Sequence, residues 1–313
     1  MVTFIIRRLI SGVLLLGAAT ASVFFFMHAS GTNVARAVLG TNASLEQVEA
    51  KAAELGLDRP LIVQYVDWLT GVLTGDMGDS YTKSQSVSDL VLSRASVTLS
   101  LVIVTVLVTT VIAVVVGMVS ARNRGWIDQV LQGGAVLGTA LPGFWIALVL
   151  VTIFAVNLKW FPATGYVAFA KDPAGWAMSL ALPVAALAVA GVSGVAMQVR
   201  SAVIELGQRE FVRTLVSHGL PPRRILFRHI LRNAASPALV IVSLQFVGML
   251  SGAVVVEQIF SMPGLGRLAV SSTTTSDIPV VMGIVTFMVT TVIIVNLVVD
   301  LLAAWLNPKV RLR

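Results

Sequence analysis

Six stretches of the chain run without a single Asp, Glu, Lys or Arg: Leu9–Met27, Val97–Val119, Gln129–Leu158, Trp176–Val199, Pro237–Val256 and Pro279–Val299. A bilayer's hydrocarbon core is about 30 Å thick, and about 20 apolar residues in a helix cross it. Lipid offers an open backbone no partner, so each stretch has to close its own hydrogen bonds as a helix. The pattern predicts an all-α membrane protein with six transmembrane helices. Pro142 and Pro183 fall inside two of the stretches and are expected to kink or start those helices, because proline has no amide hydrogen. Arg7 and Arg8 give the first stretch the charged start of a signal peptide. Its 19 apolar residues nevertheless exceed an h-region of about 7–15, and cleavage would leave five spans.

Between the first two stretches lies a long polar segment, residues 30–95. Ser44 followed by Gln47 is a capping box, the start signal of a helix. That helix is expected to stop at Gly56. Pro60 suits the first turn of a second helix, in which Leu61, Tyr65, Leu69 and Val72 share one face. Gly75-Asp76-Met77-Gly78-Asp79 has the composition of turns. A small helical cap is therefore expected here. It either lies on the membrane surface or serves as a docking platform or lid.

A second polar stretch, Arg200–Ser236, separates the fourth and fifth apolar runs. Val203, Phe211, Val212 and Leu215 form an interrupted helical stripe. Gly219-Leu220-Pro221-Pro222 ends it, since Gly closes helices and Pro cannot continue one. Arg223 to Ile230 is expected to begin another helix. A basic helix–Gly turn–helix of this kind is either a solvated loop or a docking element for a soluble partner.

Charge decides the orientation. With both termini on the inside, the inner loops collect Arg7, Arg8, Arg122, Arg124, Arg200, Arg209, Arg213, Arg223, Arg224, Arg228, Arg232, Lys309, Arg311 and Arg313 against Asp128, Glu205 and Glu210. The short outer loops hold only Lys159, Lys171 and Arg267. That is the positive-inside asymmetry, and it accounts for the net charge of +7 without nucleic acid. Composition agrees. Of 313 residues 57% are hydrophobic and 12% charged, half the charge of a soluble domain at about 25%. A cytosolic enzyme and a disordered chain are both excluded.

Several chemistries are missing. There is no cysteine, so no disulfide or thiolate site, and His28, His218 and His229 are too scattered for a metal site. No apolar stretch carries an ionisable residue at its centre, which disfavours a proton- or ion-coupled carrier. His28 and Asp300 lie at the edges of their stretches. No Gly-x-x-x-x-Gly-Lys-Ser/Thr string occurs, so energy for uphill transport would have to come from another subunit. Gly191-Val192-Ser193-Gly194 mimics the nucleophile turn of rhomboid proteases, but the later histidines fall in a loop, and small residues for close helix packing explain the string more simply. Thr139, Asn157, Gln198, Gln245 and Asn296 either line a water-filled path or bridge helices.

The strings Arg7-Arg8-Leu9, Leu55-Gly56-Leu57-Asp58-Arg59-Pro60-Leu61, Gly75-Asp76-Met77-Gly78-Asp79-Ser80-Tyr81, Leu141-Pro142-Gly143-Phe144-Trp145 and Trp160-Phe161-Pro162-Ala163-Thr164-Gly165-Tyr166 occur in this order. Glu210-Phe211-Val212-Arg213-Thr214, His218-Gly219-Leu220, Arg228-His229-Ile230-Leu231-Arg232-Asn233-Ala234 and Glu257-Gln258-Ile259-Phe260-Ser261-Met262-Pro263-Gly264-Leu265-Gly266-Arg267 follow. Together they resemble, nearly end to end, the B-type permease subunit of peptide (dipeptide, oligopeptide and nickel) ABC importers. The general coupling-loop pattern has Glu-Ala-Ala six residues before the Gly, where this chain has Arg213-Thr214-Leu215. Its closing Leu-Pro is here Leu231-Arg232, and a Pro-Gly-Asp string near residue 30 is here Ser30-Gly31-Thr32-Asn33.

The resemblance implies the type I importer permease fold. The first helix would occupy 1–29, an extracytoplasmic helical loop 30–95, a five-helix core 96–305 with coupling loop 200–236, and a cytoplasmic tail 306–313. It implies ATPase coupling through Glu210, Arg213, Thr214, Ser217, His218, Gly219, Leu220, Pro221 and Arg223, and an outer gate or loop around Glu257, Phe260, Pro263, Gly264 and Gly266. It implies no catalytic, cofactor or metal residue in this chain, ATP and Mg being bound by partner subunits. The implied partners are a homologous second permease, two cytoplasmic ATPase domains, an extracytoplasmic substrate-binding protein and membrane lipid, in a bacterial inner membrane. The competing expectations are a nickel or other small-solute permease, a non-transporting scaffold and an ungated channel.

Overall fold

The computed structural model describes residues 2–29, 34–40, 42–123 and 125–306. Ser30–Asn33, Arg124 and the basic tail with Lys309, Arg311 and Arg313 lie outside the described residues. The described chain is helical throughout apart from turns and one isolated bridge, Asp79 to Ser86.

The helices run in chain order as α1 (Val2–Ala29), α2 (Val34–Leu39), α3 (Leu45–Glu54), α4 (Leu61–Thr74), α5 (Val87–Arg122), α6 (Trp126–Ala140) and α7 (Gly143–Leu150, widening into a π-helix over Val151–Asn157). They continue as α8 (Pro173–Gly207), α9 (Glu210–Ser217), α10 (Pro222–Arg224, passing through a π-helical Ile225–Ile230 into α11, Leu231–Ile259), α12 (Leu265–Thr274) and α13 (Ile278–Leu306). Five helices, α1, α5, α8, α11 and α13, are long and apolar enough to cross a membrane, and there are six spans if the bent pair α6–α7 counts as one.

Pro142, expected to kink or start its helix, splits the third apolar run into α6 and α7. The apolar run Gln129–Leu158 is broken at Leu141–Pro142, and its halves meet at 100°. Pro142 has no amide hydrogen to give, and Leu141 before it takes the extended backbone (φ −83°, ψ 130°) that a following proline favours. Pro183, by contrast, sits inside an unbroken α8. The expected second helix of the basic loop, beginning near Arg223, has no end of its own. It runs on without a break into the fifth span.

The chain divides into two compact units, residues 1–97 with 263–293 and residues 98–262 with 294–313. In the first, the cap is built as its sequence signals. Ser44 caps α3 reciprocally with Gln47, and Gly75 closes α4 at φ +90°. The inner face of α4 carries Tyr65 and Trp68, packed with Phe24, Val34, Ile278 and Met282. The Tyr65 phenol donates to Gly17 O (3.2 Å) and lies 3.0 Å from the Thr20 hydroxyl, fastening α4 to α1. A second cluster joins Val87, Leu90 and Val91 of α5 to Leu265 and Leu268 of α12 and Val280 and Ile284 of α13.

In the second unit α8 is the hub, touching α6, α7 and α11. Small residues let the helices close up. A Cβ on Gly117 would stand 2.7 Å from Ala196 O, and one on Gly138 would collide with Ser193 Oγ. Ser193 donates its hydroxyl to Val189 O (2.9 Å) within its own helix. The Gly-x-Ser-Gly string is therefore a helix crossing, as small-residue packing predicts.

Candidate functional site

The basic loop folds into an elbow. α8 ends at Gly207, two residues turn, and α9 follows with Glu210 in its first turn, where the helix dipole favours an acid. α9 is closed by a Schellman motif: Gly219 N donates to Val216 O (2.9 Å) and Leu220 N to Leu215 O (3.2 Å), with Gly219 at φ +75°. A Cβ at Gly219 would meet no atom of the described residues within 4 Å, so the demand for glycine is torsional, not steric. Leu220 and Leu215 pack together with buried Val212, Ile225 and Ile230, and with Val203 and Leu206 at the end of α8. This apolar underside joins α9 both to the end of α8 and to the helical run that becomes α11.

The opposite face is open. Glu210, Arg213, Thr214, Ser217, His218, Pro221 and Arg223 are all exposed, whereas Leu220 is half-buried in the underside. Thr214 and Ser217 spend their hydroxyls on backbone carbonyls one turn back, Glu210 O at 3.2 Å and Thr214 O at 2.8 Å. Apolar side chains stand among these polar groups: Val216 is 59% exposed and Phe211 37%. Arg209 pairs with Glu205 (2.6 Å) across the bend, both well exposed. The nine residues named from the sequence for coupling thus share one continuous elbow. Phe211 and Val216 complete its outer surface: Phe211, expected in the apolar stripe with Val203, Val212 and Leu215, is exposed and lies outside the cluster that those three share, and Val216 had no assignment from the sequence.

The expected outer-gate residues fall on two elements. Glu257 and Phe260 end α11. Glu257 is fully buried and accepts from Thr98 Oγ1 at 2.5 Å, and Phe260 O accepts from Gly165 N at 2.8 Å. Pro263, Gly264 and Gly266 begin α12, where Gly264 is the N-terminal cap residue and Pro263 O accepts from Arg94 at 3.4 Å. Pro263, Gly264 and Gly266 belong to the other compact unit.

Two buried carboxylates escaped sequence reasoning. Asp277, fully buried before α13, accepts from Ser80 Oγ (2.6 Å), Thr82 Oγ1 (2.7 Å), Tyr81 N (3.1 Å) and Thr82 N (3.3 Å). It staples the turn after the cap to the start of the last span. Burial first, and this carboxylate second, push the Tyr81 phenol above its ordinary pKa. Asp128, in the first turn of α6, receives a two-pronged guanidinium from Arg200 (2.7 and 2.6 Å) and the Ser120 hydroxyl. Both partners had been placed on the inner side, but nothing local in the sequence announces the pairing.

Of the polar residues within the apolar runs, Asn296 bridges helices, accepting from Ser243 at 2.6 Å. Gln245 is half-buried, with neither end of its buried amide partnered among the described residues, and Thr139, Asn157 and Gln198 are exposed on this chain.

The family model described as binding-protein-dependent transport system inner membrane component matches residues 113–312, and the model of that component's N-terminal part matches residues 1–102. A protein of Brucella abortus (strain 2308) named as a peptide transport system permease is 35% identical over 312 residues, covering 99% of each chain. The glutathione transport system permease GsiC of Salmonella typhimurium (strain LT2) is 34% identical over 313 residues, again covering 99% of each. Among solved structures, a chain of the MetNI methionine ABC transporter, in inward-facing conformations, superposes with a TM-score of 0.56. At 14% identity, over 70% of this chain and 96% of that one, the likeness is one of fold.

Proposed function

The chain belongs to the family of binding-protein-dependent transport system inner membrane components, and from that premise we propose that it is one permease half of an ATP-driven importer of peptides. It is a multi-pass protein of the bacterial inner membrane with the fold of an ABC importer permease. Peptides as cargo rest on the relatives named for peptide and glutathione transport. Both termini and the elbow face the cytoplasm, on the strength of the charge asymmetry.

The observation that carries the reading is the α9 elbow. A soluble ATPase seated on Phe211, Val216 and the charged groups Glu210, Arg213 and Arg223 would push on a helix of eight residues. That helix is glued by its apolar underside to the end of α8 and the beginning of α11. Force on the elbow therefore reaches two spans at once instead of dissipating in a loop. ATP and Mg are bound by the two partner ATPase domains, a homologous second permease completes the path, and an extracytoplasmic binding protein delivers the peptide. Closure of the ATPases then selects between two packings of the spans, and only their difference in stability moves cargo.

The test is reconstitution of the complex carrying this chain, its companion permease and ATPases into proteoliposomes, with the binding protein and radiolabelled di- and tripeptides. Accumulation that needs both ATP and the binding protein is expected. Flux without nucleotide, or a chain that assembles with no ATPase, would overturn the reading.

A further inference from the structure

Three of the apolar runs are tied together one residue beyond their ends. Ser120 follows the run Val97–Val119, Asp128 precedes Gln129–Leu158 and Arg200 follows Trp176–Val199. The Asp128 carboxylate is buried. It accepts two prongs from the Arg200 guanidinium, at 2.7 and 2.6 Å, and the hydroxyl of Ser120. The node joins the last turn of α5, the first turn of α6 and the later part of α8 at the level where all three leave the membrane. A two-pronged pair that is largely dehydrated holds a fixed geometry, as an exposed pair does not.

The rest of the seam between α6 and α8 does little to set its register. α6 buries Asp128, Ala135 and Gly138. Two of these are too small to raise a ridge, and ridges are what fix one packed helix along another. Beside the pair the helices leave a cleft of about 10 Å³, lined by Gly117, Leu131, Gln132, Ala135, Ala196 and Met197, so side chains do not interlock there. At the far end Ser193 sits in the notch left by Gly138, whose Cβ would collide with its hydroxyl. One turn earlier, on nearly the same face, Gly134 offers a second notch, with no atom of the described residues within 4 Å of its Cβ position. A slip of one turn, about 5.4 Å, exchanges one glycine for the other under Ser193. The same slip takes the Asp128 carboxylate out of hydrogen-bond reach of Arg200. Only the ion pair tells the two registers apart.

We propose that the Asp128–Arg200 pair is the pin that sets the register of α6 on α8 and makes α6 travel with α8 when an ATPase moves the elbow. Arg200 lies about two turns, some 10 Å, before the end of α8 at Gly207. That end is glued to α9 by Val203 and Leu206. Motion of α9 reaches α8 directly and reaches α6 across this seam. α6 in turn ends at the 100° break of Leu141–Pro142. With the pair intact, α6 is a strut between the pushed end of α8 and that break. Without it α8 moves, α6 slips, and the break stays where it was. Asp128 and Arg200 are positioning residues, acting without touching cargo or nucleotide. The inference rests on the importer reading of the elbow and adds a second step to its transmission.

The test uses the full complex in proteoliposomes, with ATP hydrolysis and peptide uptake measured on the same vesicles. In Asp128→Asn and in Arg200→Gln the ATP hydrolysed per peptide imported should rise at least about fivefold, the low end for energetic coupling between two sites. Combining Asp128→Arg with Arg200→Asp keeps the pair with its charges exchanged and should bring the ratio back towards that of the unaltered complex. Register is read directly from spin labels on Val130→Cys and Ser201→Cys, both exposed positions in a chain with no native cysteine. With the pair intact their separation should not change when nucleotide is trapped. In Asp128→Asn a second separation, displaced by about one turn or 5 Å, should appear. Hydrolysis and uptake falling together at an unchanged ratio, a displacement with the pair intact, or a single unchanged separation in Asp128→Asn would each overturn the proposal. If Asp128→Asn does not assemble, the labels on the intact pair decide alone. An unaltered complex that imports nothing sinks the importer reading instead, and the label separations still decide the pin.

Discussion

Replacing Gly219 by valine strains the elbow in a way the structure quantifies. The residue sits at φ +75°, where an L-residue pays about 1–2 kcal/mol and a β-branched one more. No atom of the described residues lies within 4 Å of the new Cβ, so collision adds nothing. If the backbone relaxes instead, the bonds from Gly219 N to Val216 O and from Leu220 N to Leu215 O are lost, at a net cost of about 0.5–1.5 kcal/mol each. Either route costs about 2 kcal/mol, roughly a thirtyfold shift in a local equilibrium. α9 has only eight residues, far below the about 12–15 a helix needs to persist alone, so it has no reserve to absorb the loss. Hydrogen exchange of the amides from 212 to 220 should speed up by roughly thirtyfold, with normal expression, and ATP-driven uptake by the reconstituted complex should fall with it. Gly219→Asn, whose side chain tolerates the left-handed region, should lose less than about 1 kcal/mol. Unchanged exchange and uptake in the valine variant would refute the reasoning, and so would asparagine proving as harmful as valine, since that implicates space and not torsion.

Asp277→Asn keeps the shape but turns one acceptor oxygen into an amide NH2 facing the donors of Ser80, Tyr81 and Thr82; about 2–4 kcal/mol of stability should go, read as a lower unfolding midpoint in nanodiscs. Gly117→Ala pushes a methyl to 2.7 Å from the backbone oxygen of Ala196 and should cost about 1–3 kcal/mol, whereas Gly194→Ala, with nothing within 4 Å, should be neutral or stabilising; equal effects would deny that the first site is a close crossing. In a chain with no native cysteine, an impermeant thiol reagent should reach Ala50→Cys only from outside and Ser217→Cys only from inside. The reverse pattern would invert the topology.

How much of this was legible in the sequence follows from the range of each interaction. Five of the spans, the capping box of Ser44 and Gln47 and the stop at Gly219 are local features: a run of apolar residues, a side chain reaching its own backbone, a glycine torsion. They survive into the structure as read. Leu69 and Val72 are half-buried on α4, as Tyr65 is, while Leu61 of the same expected stripe is 40% exposed. The 100° break at Leu141–Pro142 was visible only as a kink of unknown size, because hydropathy carries no angle. Asp277 with Ser80 and Arg200 with Asp128 join positions 197 and 72 residues apart. No periodicity links such residues, so each looked like an ordinary loop charge.

The most direct measurement places a photo-crosslinking amino acid at Val216, the most exposed apolar residue of α9, in the full chain in living cells. The account predicts one dominant adduct, with a protein that binds ATP, its yield changing when nucleotide is trapped. Adducts with lipid or extracytoplasmic proteins, and none with an ATP-binding partner, would contradict it.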